Sequence, residues 1–153
     1  MDVEHRRARY GRVVEQLRGL FAATSDPTAR MATAAAVLHA KIDGFFWTGW
    51  YLLRDGALTV GPYQGSLACL ALQAHTGVCW AAIDRGATVI VGDVHAFAGH
   101  IACDARSRSE IVVPLRDASG AIVGVLDVDS EAPARFDETD REGLEAIAAL
   151  ILS

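Results

Sequence analysis

Three cysteines and three clustered acids are the residues of this chain whose types and spacing could do chemistry. The cysteines are Cys69, Cys79 and Cys103. Thiols can act as nucleophiles, form disulfides or bind metals. No two of them have the close spacing of a zinc knuckle, so a zinc module built with His75, His95 or His100 is not indicated. An odd count also does not suit a disulfide-stapled secreted fold. In a reducing compartment all three would rest as thiols, and any one of them could simply be a packed core residue.

The acids are Glu110, Asp127 and Asp129. They sit on two segments, Glu110–Leu115 and Ala121–Asp129, joined by the turn-forming run Asp117-Ala118-Ser119-Gly120. With the turn over 117–120, Ile111 is expected opposite Leu126, Val113 opposite Gly124 and Glu110 opposite Asp127. Asp129 falls two residues further along the same face. The other face carries Ile111, Val113, Leu115, Ile122, Leu126 and Val128 and reads as core. A three-residue loop would shift this register. Like charges directly opposite each other destabilise a sheet. Solvent, a cation, a ligand ammonium or protonation of one member must compensate. The spacing lacks a calcium-loop signature, so no metal is expected.

The elements that must position these groups follow from period and punctuation. Residues 4–22 are apolar at helical spacing through Tyr10, Val13, Val14, Leu17, Leu20 and Phe21. Asp26 is a cap and Pro27 a first helical residue for a second helix running to about Ile42. Phe45–Leu53 is aromatic and branched like a strand, Arg54-Asp55-Gly56 turns, and Ala57–Tyr63 returns. Residues 66–87 read as a short helix or two around Cys69 and Cys79. Thr88–Val91 is a short strand, and residues 92–108 form a long irregular segment of the kind often tied to function. Asp137 caps a last helix whose apolar face includes Leu144, Ile147 and Ile151. The expected fold class is therefore α+β, an antiparallel sheet with helices packed on it. One domain over 1–153 is expected, with helices over 1–43 and the sheet, active-site loops and last helix over 44–153.

Composition narrows the functions. The 153 residues are 52% hydrophobic and 22% charged with a net charge of −5, as globular domains are. A domain of this length buries about 70% of the surface its unfolded chain exposes, enough for a core. No basic stripe with aromatics is present, so nucleic acid is not an expected partner. Arg6, Arg7, Arg9 and Arg12 read as a solvated helix face. No apolar run approaches the roughly 18–20 residues of a membrane span. The polar start excludes a secretion signal, so the expected location is the cytoplasm.

Several runs resemble the free methionine-(R)-sulfoxide reductases, which are GAF-domain enzymes. They are Gly61-Pro62-Tyr63-Gln64-Gly65 with Ala68-Cys69, Gly77-Val78-Cys79, Asp93-Val94-His95, and Gly99-His100-Ile101-Ala102-Cys103-Asp104. Ser107, Ser109–Leu115, Gly124–Ser130, Phe136-Asp137 and the early Trp47, Gly49 and Tyr51 continue the likeness, which covers residues from about 44 onward. The chain departs from the family at Trp80, where a glycine is usual, and at Ala98, where a proline is usual. Trp80 is expected either to reshape its loop or to cap the pocket.

The resemblance implies a single GAF-type domain that commonly forms homodimers. It implies an oxidoreductase that turns free L-methionine-(R)-sulfoxide into methionine, with no bound cofactor and with thioredoxin, thioredoxin reductase and NADPH as external reductant. Cys103 is implied as nucleophile, passing through a sulfenic acid, and Cys69 as the partner that closes a disulfide with it. Cys79 is an auxiliary or structural thiol. Glu110, Asp127 and Asp129 are implied as pocket acids: at least one, Glu110 or Asp127, is protonated and holds the sulfoxide oxygen, and the remaining carboxylates receive the substrate ammonium. Trp47 and Tyr51, four apart on a strand and so on one face, form an aromatic wall for the substrate methyl. His95 and His100 are candidate electrostatic helpers. The rival expectation is a GAF module that senses a small ligand without catalysis. An output domain, usual in such sensors, is not seen in the chain.

Overall fold

A computed structural model describes residues 2–100 and 103–153. Helix α1 (Val3–Phe21) starts at Asp2, whose side chain accepts from the His5 N–H. Helix α2 (Pro27–Lys41) starts at Asp26, which accepts from the Ala29 N–H, with Pro27 in the first position. Both begin where an acidic cap satisfies a free N–H and complements the helix dipole. Strands β1 (Trp47–Arg54) and β2 (Ala57–Gln64) are joined by Asp55-Gly56, both at positive φ (52° and 78°). That is the backbone of a tight hairpin turn. Strand β3 (Ala71–Leu72), helix α3 (Gly77–Arg85), strand β4 (Val89–Val91) and a 3₁₀ turn over Val94–Ala96 follow. Strands β5 (Ser109–Arg116) and β6 (Ile122–Ser130) lead to helix α4 (Glu138–Ile151).

The six strands form one antiparallel sheet in the order β3-β2-β1-β6-β5-β4. Side chains alternate across it. Trp50, Ile111, Val113, Leu115, Leu126 and Val128 face α1, α2 and α4 in the larger core. Trp47, Tyr51, Val112 and Val125 face the other way, where α3 and the long connections lie. The site is on this second face.

On the first face, the helix layer is fastened by a buried ionic knot. Asp140 is fully buried and accepts from the Tyr10 hydroxyl at 2.8 Å, from Arg135 at 3.1 Å and from Arg6 at 3.3 Å. A buried carboxylate is tolerable because these donors compensate it.

Two expectations are corrected. The β5–β6 register is displaced by two residues: Glu110 pairs with Asp129, Ile111 with Val128, Val112 with Asp127 and Val113 with Leu126. The Asp117 side chain ties the turn by accepting from the N–H groups of Ser119 and Ala121, and a register shift between Leu115 and Arg116 takes up the difference. A slip of two residues leaves every side chain on its expected face, whereas a slip of one would have exchanged the faces. The second correction concerns Cys69. The segment around it is extended and not helical, and only Cys79 lies in a helix.

Candidate active site

The sheet brings five of the expected residues to one end of its second face. Across β1, β6 and β5, Trp47 pairs with Asp129 and Asp129 with Glu110. One row along, Gly49 pairs with Asp127 and Asp127 with Val112. Gly49 must lack a side chain here. A Cβ would lie 2.6 Å from the Trp47 ring and 2.3 Å from Tyr63 Cβ. With that space free, Trp47 lies flat against Tyr51 and Tyr63, ring centroids 5.8 and 5.3 Å away. Trp47, Tyr51 and Tyr63 thus form one aromatic stack, with Tyr63 as a member that strand periodicity alone did not mark.

The wall also carries the Cys69 segment. The Trp47 indole N–H donates to the Ser66 carbonyl and the Tyr51 hydroxyl to the Cys69 carbonyl, both at 3.0 Å. Gly65, at φ 118°, turns the chain into this segment, where a Cβ would meet the Phe46 carbonyl oxygen at 2.8 Å. These long-range bonds hold the segment extended.

Cys69 and Cys103 are joined in a disulfide with Cα atoms 5.5 Å apart, within the usual range for a bridge. Cys69 is half-buried and Cys103 exposed. Of the run from Gly99 to Asp104, Ile101 and Ala102 lie outside the described residues. Cys79 is free and buried in α3.

A pocket of about 580 Å³, counting its open mouth, is lined by Trp47, Tyr51, Cys79, Cys103, Glu110, Asp127 and Asp129. The first turn of α3, from Thr76 to Val78, lines it too, as do His100 and Ser107. No side chain caps that first turn. Nothing in the sequence marked it beyond Gly77-Val78-Cys79. His95 is not among the lining residues, and its ring is 6.4 Å from that of His100. Trp80 does not cap the pocket. It is buried in the second core with its ring against His75, centroids 4.6 Å apart.

The electrostatics of the acids differ from one another. Burial first, then Asp127 and Asp129, pushes the Glu110 carboxyl well above its ordinary value. Burial and Asp127 do the same to Asp129, which is half-buried at the pocket edge. Burial also raises Asp127, but hydrogen bonds from Glu110 and Cys79 oppose the rise. Asp127 is thus the natural carboxylate of the group and Glu110 the natural protonated donor, as expected when crowded carboxyls separate. One Asp127 oxygen, Oδ1, is buried with no hydrogen-bond partner among the described residues. Burial, then Asp127 and Glu110, pushes the Cys79 thiol well up, so it stays neutral. The His100 imidazole is lowered by burial and then by His95, and is also neutral near pH 7.

A family model described as "GAF domain" matches residues 24–152. A free methionine-R-sulfoxide reductase of Escherichia coli is 40% identical over 140 residues, covering 92% of this chain and 84% of that protein. The chain belongs to the free methionine-R-sulfoxide reductase family. Two solved members superpose closely. One is the Neisseria meningitidis reductase in complex with its substrate, at 45% identity and a TM-score of 0.90, covering 95% of this chain and 87% of that one. The other is the reduced form of the Staphylococcus aureus protein, at 41% identity and a TM-score of 0.89, covering 94% and 92%. Against the family background, the Cys69–Cys103 bridge joins the two cysteines that the family resemblance pairs.

Proposed function

We propose that this chain reduces free L-methionine-(R)-sulfoxide to methionine in the pocket beneath the Cys69–Cys103 bridge. The observation that carries the reading is that bridge itself. A disulfide borders a pocket that also contains three acidic side chains and an aromatic wall.

The chemistry starts from the dithiol form. Cys103 attacks the sulfoxide sulfur, and the sulfoxide oxygen receives a hydrogen bond and then a proton from the Glu110 side of the pocket. Oxygen passes to Cys103 as a sulfenic acid, and methionine leaves. The Cys69 thiol then displaces that oxygen as water and forms the disulfide. Two thiols and one sulfoxide have become one disulfide, one thioether and one water. The structure corresponds to the product of this last step.

Asp127 and Asp129 are assigned the substrate ammonium. The orphan Asp127 Oδ1 supports this, since a buried acceptor without a donor costs about 1–3 kcal/mol until a ligand supplies one. The uncapped first turn of α3 is assigned the substrate carboxylate, because helix N-termini favour anions. Trp47 and Tyr51 hold the methyl group and sulfur. A peptide-bound methionine sulfoxide has no free ammonium and is rejected because Asp127 Oδ1 would stay unpaired. Cys79 stays a neutral thiol that donates to Asp127.

A reducing cytoplasm suits three cysteines of this kind. A thioredoxin, its reductase and NADPH would regenerate the thiols at the accessible Cys103 sulfur. In a coupled assay with these components, free methionine-(R)-sulfoxide should drive NADPH oxidation. The S epimer and N-acetylmethionine sulfoxide should not. Equal rates on all three would overturn the pocket, and no rate on any would reduce the protein to a ligand-binding domain.

A further inference from the structure

Cys79 is the thiol the proposed reaction does not consume. Its Sγ, a Glu110 carboxyl oxygen and an Asp127 carboxyl oxygen all lie within 4.8 Å of one another. All three residues are buried, with 4%, 6% and 5% of their surface exposed. They come from α3, β5 and β6, so their spacing is set by the packing of a helix on the sheet. Asp127 Oδ1 adds a separate observation. It is an enclosed acceptor with no partner among the described residues, on a residue that lines the pocket.

We propose that Cys79, Glu110 and Asp127 form a binding site for one borderline-soft divalent cation of the zinc class. Zinc accepts thiolate and carboxylate donors together, and three protein ligands leave a fourth position open toward the pocket. The thiol selects against magnesium and calcium, which take oxygen donors in larger number. Zinc–sulfur and zinc–oxygen bonds are about 2.3 and 2.0–2.2 Å long. Ligand atoms no more than 4.8 Å apart therefore need only small side-chain adjustments to share one ion. On binding, the Cys79 thiol and the Glu110 carboxyl each release a proton to solvent. The ion then faces three anionic ligands, one of them the residue that carries the orphan oxygen. The site does not use Cys103, so it is complete in the disulfide form; it shares Glu110 and Asp127 with the proposed substrate pocket, so the ion and the substrate exclude each other.

Cobalt reports such a site directly, because a thiolate bound to Co²⁺ gives a charge-transfer absorption. Titrating the disulfide form, where Cys79 is the one free thiol, should produce this band with one equivalent of Co²⁺. Zinc should bleach it, and excess magnesium should not. Cys79→Ser should abolish the band, and Asp127→Asn should weaken cobalt binding about tenfold or more, the scale on which even outer partners of a metal act. No band in the wild-type protein, or a band unchanged in either variant, overturns the proposal. If Cys79→Ser does not fold, the Asp127→Asn titration decides alone by the same criterion.

Discussion

Glu110 and Asp129 stand directly opposite each other across β5 and β6, with Asp127 two residues along on the same face. Three carboxyls thus share one corner of the sheet, and burial together with the neighbouring Asp127 pushes Glu110 and Asp129 well above the ordinary carboxylate range. The arrangement is expensive for folding and useful for a reaction that must deliver a proton to a leaving oxygen.

The cost has a sign that pH reveals. Glu110 holds its proton in the folded chain but loses it in the unfolded chain above about pH 4.3. The folded state therefore binds more protons, and stability is full below that value and declines as pH rises. Urea unfolding from pH 5 to pH 8 should show wild-type stability falling as pH rises. Glu110→Gln should fall less steeply. Parallel curves for the two proteins would contradict the assignment of Glu110 as the buried proton donor.

Tyr51 links the substrate wall to the Cys69 segment. Tyr51→Phe removes the hydroxyl that donates to the Cys69 carbonyl, a bond worth about 0.5–1.5 kcal/mol. Rapid-quench thiol labelling after one turnover should show disulfide closure slowed several-fold relative to methionine release. Closure at the wild-type rate would show that the segment is held by packing alone.

Asp140 lies on the opposite face of the sheet from the pocket. Asp140→Ala leaves Tyr10, Arg6 and Arg135 without their shared acceptor. The expected loss is about 3–5 kcal/mol of stability, the usual result of breaking a buried ion pair. Chemical denaturation checks this, and turnover per folded molecule should stay near wild type. A loss under about 1 kcal/mol would mean that the remaining Arg6–Asp137 pair at 2.7 Å is enough to hold α1 on α4.

The local features of the fold were open to reading because their causes are local. Asp26-Pro27 and Asp137 start helices where capping chemistry requires, and alternation assigns each β5 and β6 residue to its face. The acidic corner followed from that alternation. The register did not, because it is decided by how the Asp117 side chain closes the turn and where the strand slips. The extended Cys69 segment was hidden for a similar reason: its carbonyls are taken by Trp47 and Tyr51, 19 and 18 residues away in sequence. Composition and spacing did not distinguish the three thiols; only the resemblance of the runs around them did. The disulfide and the burial of Cys79 do that, and both come from how α3 and the loops meet the sheet.

The division of labour between Cys103 and Cys69 is tested most directly by product stoichiometry in single-cysteine variants. Reduced Cys69→Ser, mixed with excess free methionine-(R)-sulfoxide and no recycling thiol, should release one methionine per chain and leave a sulfenic acid on Cys103 that dimedone traps. Reduced Cys103→Ser should release none. Methionine formed by Cys103→Ser, or a dimedone adduct on Cys69 in place of Cys103, would contradict the account.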